Sequence, residues 1–201
     1  MEKNFYALSR PSEVWKKIGE GDHDAFTHIY NLYFSDLCRY GSRVCGDRAL
    51  IEDSIQDLFI EIWRCRKKHP QVQSLKYYLF KRLRRMIVNK LVDEKKTPVE
   101  RNIGEDYDFK IVFSHESELI AEQISREQQA KLLEALNQLT WRQKEAITLR
   151  FYDGFSYEEA AGMLDMNTKS VRNLVYRAML MLKKHLPKTL MLALLAVLAQ
   201  R

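Results

Sequence analysis

Apolar residues recur along this chain at three- and four-residue steps. Ala25, Ile29, Leu32 and Tyr33 form one such stripe, and Ile51, Ile55, Leu58, Phe59 and Ile62 a second. Leu75, Leu79, Leu83, Ile87 and Leu91 form a third, in steps of four. Each is the single apolar face of an amphipathic helix, and together they predict three or four helices between Ser12 and Val92. Gly19, Gly21, Gly41 and Gly46 fall where breaks between them are expected. A second helical block follows. Leu132, Leu133, Leu136 and Leu139 share a face, and Thr140, Trp141, Arg142 and Gln143 make a capping-box pattern that starts a helix running through Phe151. Asp153-Gly154 marks a turn, and Ser156, Tyr157, Glu158 and Glu159 make a second capping box. Val171, Leu174, Val175, Ala178 and Leu182 then define a longer helix ending near Pro187. The expected fold is all-α.

The two blocks divide the chain. Residues 12–95 are expected to be one domain, 96–125 a linker, 126–187 a second domain and 188–201 an apolar tail. The linker carries Pro98 and Gly104 and is expected to hold a short helix towards Ile124. A flexible segment of about 30 residues has a root-mean-square span of roughly 30 Å, enough to separate two domains. Leu190–Ala199 is strongly apolar, yet ten residues rise only about 15 Å as a helix, half of a bilayer core. The tail is therefore expected to pack on the second domain or to engage a regulator.

Composition sharpens this division. The 201 residues suffice for two small domains, 46% of them are apolar, and the 7 Gly and 4 Pro are too few for an all-β chain built on tight turns. The net charge of +6 is unevenly spread. Residues 64–96 hold twelve Lys/Arg against Asp93 and Glu94; residues 97–127 hold eight acids against Arg101, Lys110 and Arg126; beyond Met166 there is no acid. Basic domain, acidic linker, basic domain is a pattern that suits a polyanionic partner. The three cysteines, Cys38, Cys45 and Cys65, include no CxxC pair, so reduced thiols are expected rather than a disulfide framework or zinc knuckle. The N-terminus lacks an apolar signal core. No Gly-rich phosphate loop, zinc spacing or nucleophile motif is present, and His23, His28, His69, His115 and His185 are scattered. The expectation is a cytoplasmic non-enzyme with no cofactor, no metal and no small-molecule substrate.

Residues 156–181 read as a helix-turn-helix. Ser156–Leu164 is a short helix with small Ala160 and Ala161, Asp165-Met166-Asn167 is a turn of the right length, and Thr168 is expected to cap the next helix. That helix buries Val171, Leu174, Val175 and Ala178 and presents Lys169, Arg172, Asn173 and Tyr176, with Ser170 and Arg177 beside them. Arg suits guanine edges, Asn adenine and Lys phosphates. The run from Leu133 to Leu186 resembles domain 4 of the sigma factors, through Leu139, the Gly154-Phe155-Ser156 turn, Ala161, Ser170-Val171-Arg172-Asn173 and Tyr176-Arg177-Ala178. Thr140 stands where that family often has Pro, and Asp165 where it often has Gly; Asp tolerates left-handed geometry. The resemblance implies a domain that reads the −35 promoter element in the major groove.

The first block carries the more specific likeness. Glu52–Trp63 resembles sigma region 2.2, with Ile55, Phe59 and Ile62 facing the core and Asp53, Gln56, Asp57 and Glu61 on the other side. The resemblance implies that this side docks on the β′ clamp helices of RNA polymerase, where acidic groups meet a basic coiled coil. Ser74–Lys90 resembles regions 2.3 and 2.4, which open and read the −10 element. Lys76, Lys81, Arg82, Arg84, Arg85 and Lys90 supply cations for separated strands; Tyr77 and Tyr78 offer surfaces for unstacked bases, and Phe80 fits either that role or the core. Asn89 is a candidate base reader, and Arg85 stands where relatives often have Asn. The whole chain is thus identified as a two-domain sigma factor of the extracytoplasmic-function type. The partners implied are core polymerase through the β′ clamp helices and β flap, promoter DNA, and an anti-sigma factor, membrane-bound or otherwise. The linker acids Glu105, Asp106 and Asp108 could mimic nucleic acid in a polymerase channel or simply be solvated. A stand-alone helix-turn-helix regulator accounts for 126–187 but leaves the paired acidic and aromatic-basic helices of the first block unexplained.

Overall fold

The computed structural model describes residues 11–68, 72–94, 109–111, 126–187, 189–191 and 194. Every regular element among them is helical, and the chain divides into two compact units, Met1–Asp106 and Tyr107–Arg201. The all-α expectation holds.

Unit 1 contains α1 (Pro11–Glu20), α2 (His23–Val44), α3 (Arg48–Cys65), a 3₁₀ turn (Arg66–Lys68) and α4 (Leu75–Glu94). The starts of the helices are written locally. The Asp22 carboxylate accepts from the Ala25 amide at 2.9 Å, that of Asp47 from Ala49 at 2.9 Å and Leu50 at 3.2 Å, and the Ser74 hydroxyl from Tyr77 at 3.2 Å. Each satisfies amides that a helix start leaves unpaired. Between α1 and α2 the chain turns at Gly21, whose φ of +94° is open to glycine at no steric cost. α2, α3 and α4 pack pairwise around a core that includes Ile29, Leu37, Ile55, Leu58, Leu79 and Leu83.

Two expectations for α2 need correction. Leu32 is 50% exposed, because the buried face runs through Ala25, Ile29, Leu37, Tyr40 and Val44 and leaves Leu32 on its flank. Gly41 is not a break: it lies within α2 and is buried. A Cβ there would sit 2.6 Å from Ile51 Cγ2 of α3. The glycine thus permits close helix crossing, whereas Gly46 occupies the link between α2 and α3.

Unit 2 contains α5 (Arg126–Asn137), α6 (Trp141–Ile147), a π-helical turn (Thr148–Tyr152), α7 (Tyr157–Met163) and α8 (Thr168–His185). Both capping boxes form. The Gln143 amide donates to Thr140 Oγ1 at 3.3 Å while the Thr140 amide donates to Gln143 Oε1 at 2.9 Å; Ser156 and Glu159 do the same at 3.0 and 2.9 Å. The helix expected to reach Phe151 as a plain α-helix instead widens after Ile147, and the Asp153 amide bonds the Thr148 carbonyl five residues back at 2.9 Å. Asp165 adopts φ +52°, the left-handed geometry foreseen for the turn. The cap of α8 is Asn167, not Thr168: Asn167 Oδ1 accepts from the Ser170 amide at 2.8 Å. Leu133, 52% exposed, lies off the buried face of Leu132, Leu136 and Leu139, and Leu174 is only half-buried.

An Asn167→Ala variant is expected to lose about 1 kcal/mol of stability and Thr168→Ala distinctly less. Thermal unfolding of the two variants side by side checks this.

Phe109, inside the expected linker, is fully buried, and the division after Asp106 places it with unit 2. Glu105, Asp106, Asp108 and the helix expected near Ile124 lie outside the described residues. In the tail, Leu190 and Leu194 are 2% and 1% exposed, so this segment packs.

Candidate nucleic-acid interface

The α3 stripe that builds the core of unit 1 fixes what its opposite side presents. With Ile51, Ile55, Leu58, Phe59 and Ile62 buried, Asp53, Gln56 and Asp57 are exposed and Glu61 is half-exposed. In their midst Ile60 is 49% exposed. The sequence signal for Ile60 is simple: it is an apolar residue out of phase with the buried stripe. An apolar side chain ringed by acids and an amide matches the anatomy of a protein-binding patch, with a desolvated centre and a polar rim.

α4 crosses beside this face, and charges pair between the two helices. Lys90 Nζ lies 2.8 Å from Asp57 Oδ2, and Arg82 bonds Glu61. That hydrogen bond raises the pKa of the Arg82 guanidinium. These four side chains are between a third and a half exposed, so each pair contributes little to stability, about 0–1 kcal/mol. Their consequence is positional: the acidic and basic faces share an edge.

The remaining α4 candidates separate by burial. Lys81, Arg85 and Asn89 are exposed; Tyr77, Tyr78 and Arg82 are half-buried. Arg84 is only 9% exposed, on the side that carries Leu83 and Ile87, so it is set apart from the cationic surface, contrary to expectation. Phe80 is 1% exposed, with its ring 5.3 Å from that of Tyr40, and belongs to the core. Cations lie against the aromatics one turn away. Lys81 Nζ donates to the Tyr77 hydroxyl at 3.1 Å and sits 5.4 Å from its ring, and the Arg82 guanidinium is 6.0 Å from the Tyr78 ring. Tyr78 also stacks at 5.4 Å on Trp15 of α1, and burial raises its phenol pKa.

In unit 2, α8 turns Val171, Val175, Ala178 and Leu182 inward. Lys169, Arg172, Asn173, Tyr176 and Arg177 are exposed, Tyr176 at 63%, and Ser170 is half-exposed. The predicted reading face is therefore assembled on one side of one helix. Arg172 is tethered across the turn: its Nη2 is 3.4 Å from Glu158 Oε1, and its guanidinium is 5.3 Å from the Tyr157 ring.

Among the described residues no group of three His, Cys, Asp or Glu side chains could hold a metal, and no helix is long and apolar enough to cross a membrane. Cys38, Cys45 and Cys65 are free thiols.

Comparison with known proteins agrees with both surfaces. The family described as Sigma-70 region 2 matches residues 29–97, and Sigma-70, region 4, matches residues 129–182. The chain is 27% identical over 180 residues to the ECF RNA polymerase sigma factor BldN of Streptomyces coelicolor, covering 89% of this chain and 67% of that one. It is 28% identical over 173 residues to the ECF RNA polymerase sigma-E factor of Escherichia coli, covering 81% and 87%. It is 23% identical to SigX of Bacillus subtilis, covering 81% and 84%. Among solved structures, RpoE in complex with the anti-sigma factor NepR from Bartonella quintana shares the fold, with a TM-score of 0.55 and 23% identity over 79% of this chain and 94% of that one. CnrH in complex with the cytosolic domain of CnrY does so with a TM-score of 0.53 and 17% identity over 87% and 95%. With a clamp-type helix pair in the first unit, a helix-turn-helix in the second and both family matches in that order, the chain belongs to the sigma-70 family, in its extracytoplasmic-function class, and directs RNA polymerase to promoters.

Proposed function

We propose that the two units divide promoter recognition between them, unit 1 within residues 12–95 and unit 2 within 126–187. Asp53, Gln56, Asp57 and Glu61 dock on the β′ clamp helices, with Ile60 as the apolar centre of the contact. Tyr77, Tyr78, Lys81, Arg82, Arg85 and Asn89 engage the opened −10 element. Lys169, Ser170, Arg172, Asn173, Tyr176 and Arg177 read the −35 element. The observation that carries this reading is the presence, on two separate units, of an exposed helix face combining cations with aromatic or amide groups. Cations neutralise phosphates, and aromatic faces receive bases. Stacking contributes about 1–3 kcal/mol per base, comparable with the few kcal/mol needed to take one base out of the duplex.

The chain itself does no covalent chemistry in this reading; bond formation belongs to the polymerase. It acts in the cytoplasm and is held inactive by an anti-sigma factor, as the titles of the related RpoE and CnrH complexes suggest.

Asp57→Arg tests the docking assignment. The exposed carboxylate becomes a cation facing a basic partner, and Lys90 loses its counter-charge. Co-purification with core polymerase is expected to fall at least tenfold while the circular dichroism spectrum is unchanged. Undiminished co-purification would remove this face from the docking surface. The function as a whole is tested by initiation in vitro: core enzyme plus this chain is expected to start at defined genomic sites, and core enzyme alone is not.

A further inference from the structure

Two guanidinium groups converge on one aromatic ring at the start of the helix-turn-helix. Arg150, from the π-helical turn, lies 5.2 Å from the centroid of the Tyr157 ring, and Arg172, from α8, lies 5.3 Å from the same centroid. Arg150 is fixed further by donating from Nη1 to the Phe155 carbonyl at 3.4 Å. Tyr157 is the first residue of α7, immediately after the Ser156 cap, so its backbone is held by the capping box. The ring is half-buried, whereas Arg172 is largely exposed, with 61% of its side chain accessible.

A long exposed arginine ordinarily samples many rotamers, and ordering it on binding costs affinity. The negative face of an aromatic ring offsets part of that cost before the partner arrives. Glu158 alone would not achieve this, since an exposed carboxylate holds the cation in competition with DNA. The ring exerts no such competition: it contacts the plane of the guanidinium and leaves the N–H edge, which pairs with guanine O6 and N7, free to donate. Gathering two like charges on one ring also raises the local positive potential, an arrangement that an anionic partner relieves.

We infer that Tyr157 is a positioning residue for promoter recognition: its ring orders Arg172 for base contact and holds Arg150 beside it as a second cation. This rests on the proposed role of α8 as the −35 reader. The ring itself touches no base in this scheme; it acts through Arg172.

The test uses holoenzyme reconstituted with core polymerase and the strongest promoter found by mapping its transcription starts. Each −35 base pair is substituted in turn, and the initiation ratio between original and substituted templates is measured. Arg172→Ala is expected to erase discrimination at one base pair. Tyr157→Leu is expected to reduce discrimination at that same base pair by roughly two- to fivefold, the range of an exposed cation–π contact. Tyr157→Phe, which keeps the ring, is expected to retain it, and Tyr157→Leu is expected to add nothing in the Arg172→Ala background. A purely structural role for Tyr157 would lower initiation on all templates alike and leave every ratio in place. Unchanged ratios for Tyr157→Leu, or equal loss for Tyr157→Phe, overturn the positioning role. If Arg172→Ala alters discrimination at no base pair, the assignment of α8 as reader fails, and the positioning role falls with it.

Discussion

Gly41→Val is expected to destabilise unit 1 by about 1–3 kcal/mol or more, a large part of the 5–15 kcal/mol that holds a typical domain folded. The position lies where α2 meets α3 and α4. Even the Cβ alone would approach Ile51 Cγ2 to 2.6 Å, Ile51 Cγ1 to 3.3 Å and Ile87 Cδ1 to 3.4 Å. The first of these is a β-branched methyl group packed in the core, which cannot swing aside as a lysine tip would. The helices must therefore part, and the contacts among Leu37, Ile55 and Leu83 loosen with them. Circular dichroism melts of the parent and variant measure the loss. A cycle identifies its cause: Gly41→Ala should cost clearly less in an Ile51→Ala background, where the clashing methyl is gone, than in the parent. Equal costs in both backgrounds would place the strain elsewhere.

Inserting five base pairs between the −35 and −10 elements is expected to reduce initiation by this chain's holoenzyme at least a hundredfold, although both elements stay intact. The insertion moves one element by roughly 17 Å along the axis and by about half a helical turn around it. Two reading surfaces held on polymerase at a fixed separation cannot follow that rotation. Two domains joined only by a loose tether could. Initiation rates on a series of spacer lengths, including a full-turn insertion, provide the measurement. Activity that stays level through the half-turn insertion would favour an independently binding regulator over the two-point reading.

Much of the fold was legible because burial repeats with the helix period. The stripes of α3 and α4 were read from spacing alone, and the capping boxes at Thr140 and Ser156 were read from four residues each. What escaped was decided by neighbours distant in sequence. Gly41 looks like a break until α3 is placed against it. Leu32 and Leu133 look like core until the tilt of each buried face is known. At the cap of α8, Asn167 and Thr168 are both competent, and the left-handed Asp165 turn decides between them.

The candidate site followed the same rule. The exposed set on α8 could be counted off from its buried residues. Arg84 could not be separated from Arg85 by composition, because only the packing of α4 assigns them to different sides. The pairing of Asp57 with Lys90 joins residues 33 apart in sequence, and that of Glu61 with Arg82 likewise crosses between helices. Sequence reading gave the two faces separate partners and so did not foresee their common edge. Tyr157 was noticed only as an interior member of a capping box, since nothing in the sequence brings Arg150 and Arg172 to one ring.

The π-helical turn at Thr148–Tyr152 accommodates one residue more than an α-helix would over the same hydrogen-bonded span. Deleting a single residue within it would let α6 continue as an ordinary helix, and each α-helical residue advances the chain by about 100°. Gly154, Ser156 and the start of α7 would then leave the helix pointing in another direction. The aim of the reading helix is in this sense set by a count of residues as much as by their kind. A one-codon deletion at positions assigned no base contact would misdirect recognition, while exchanging Leu149 for a similar apolar residue would leave that aim intact.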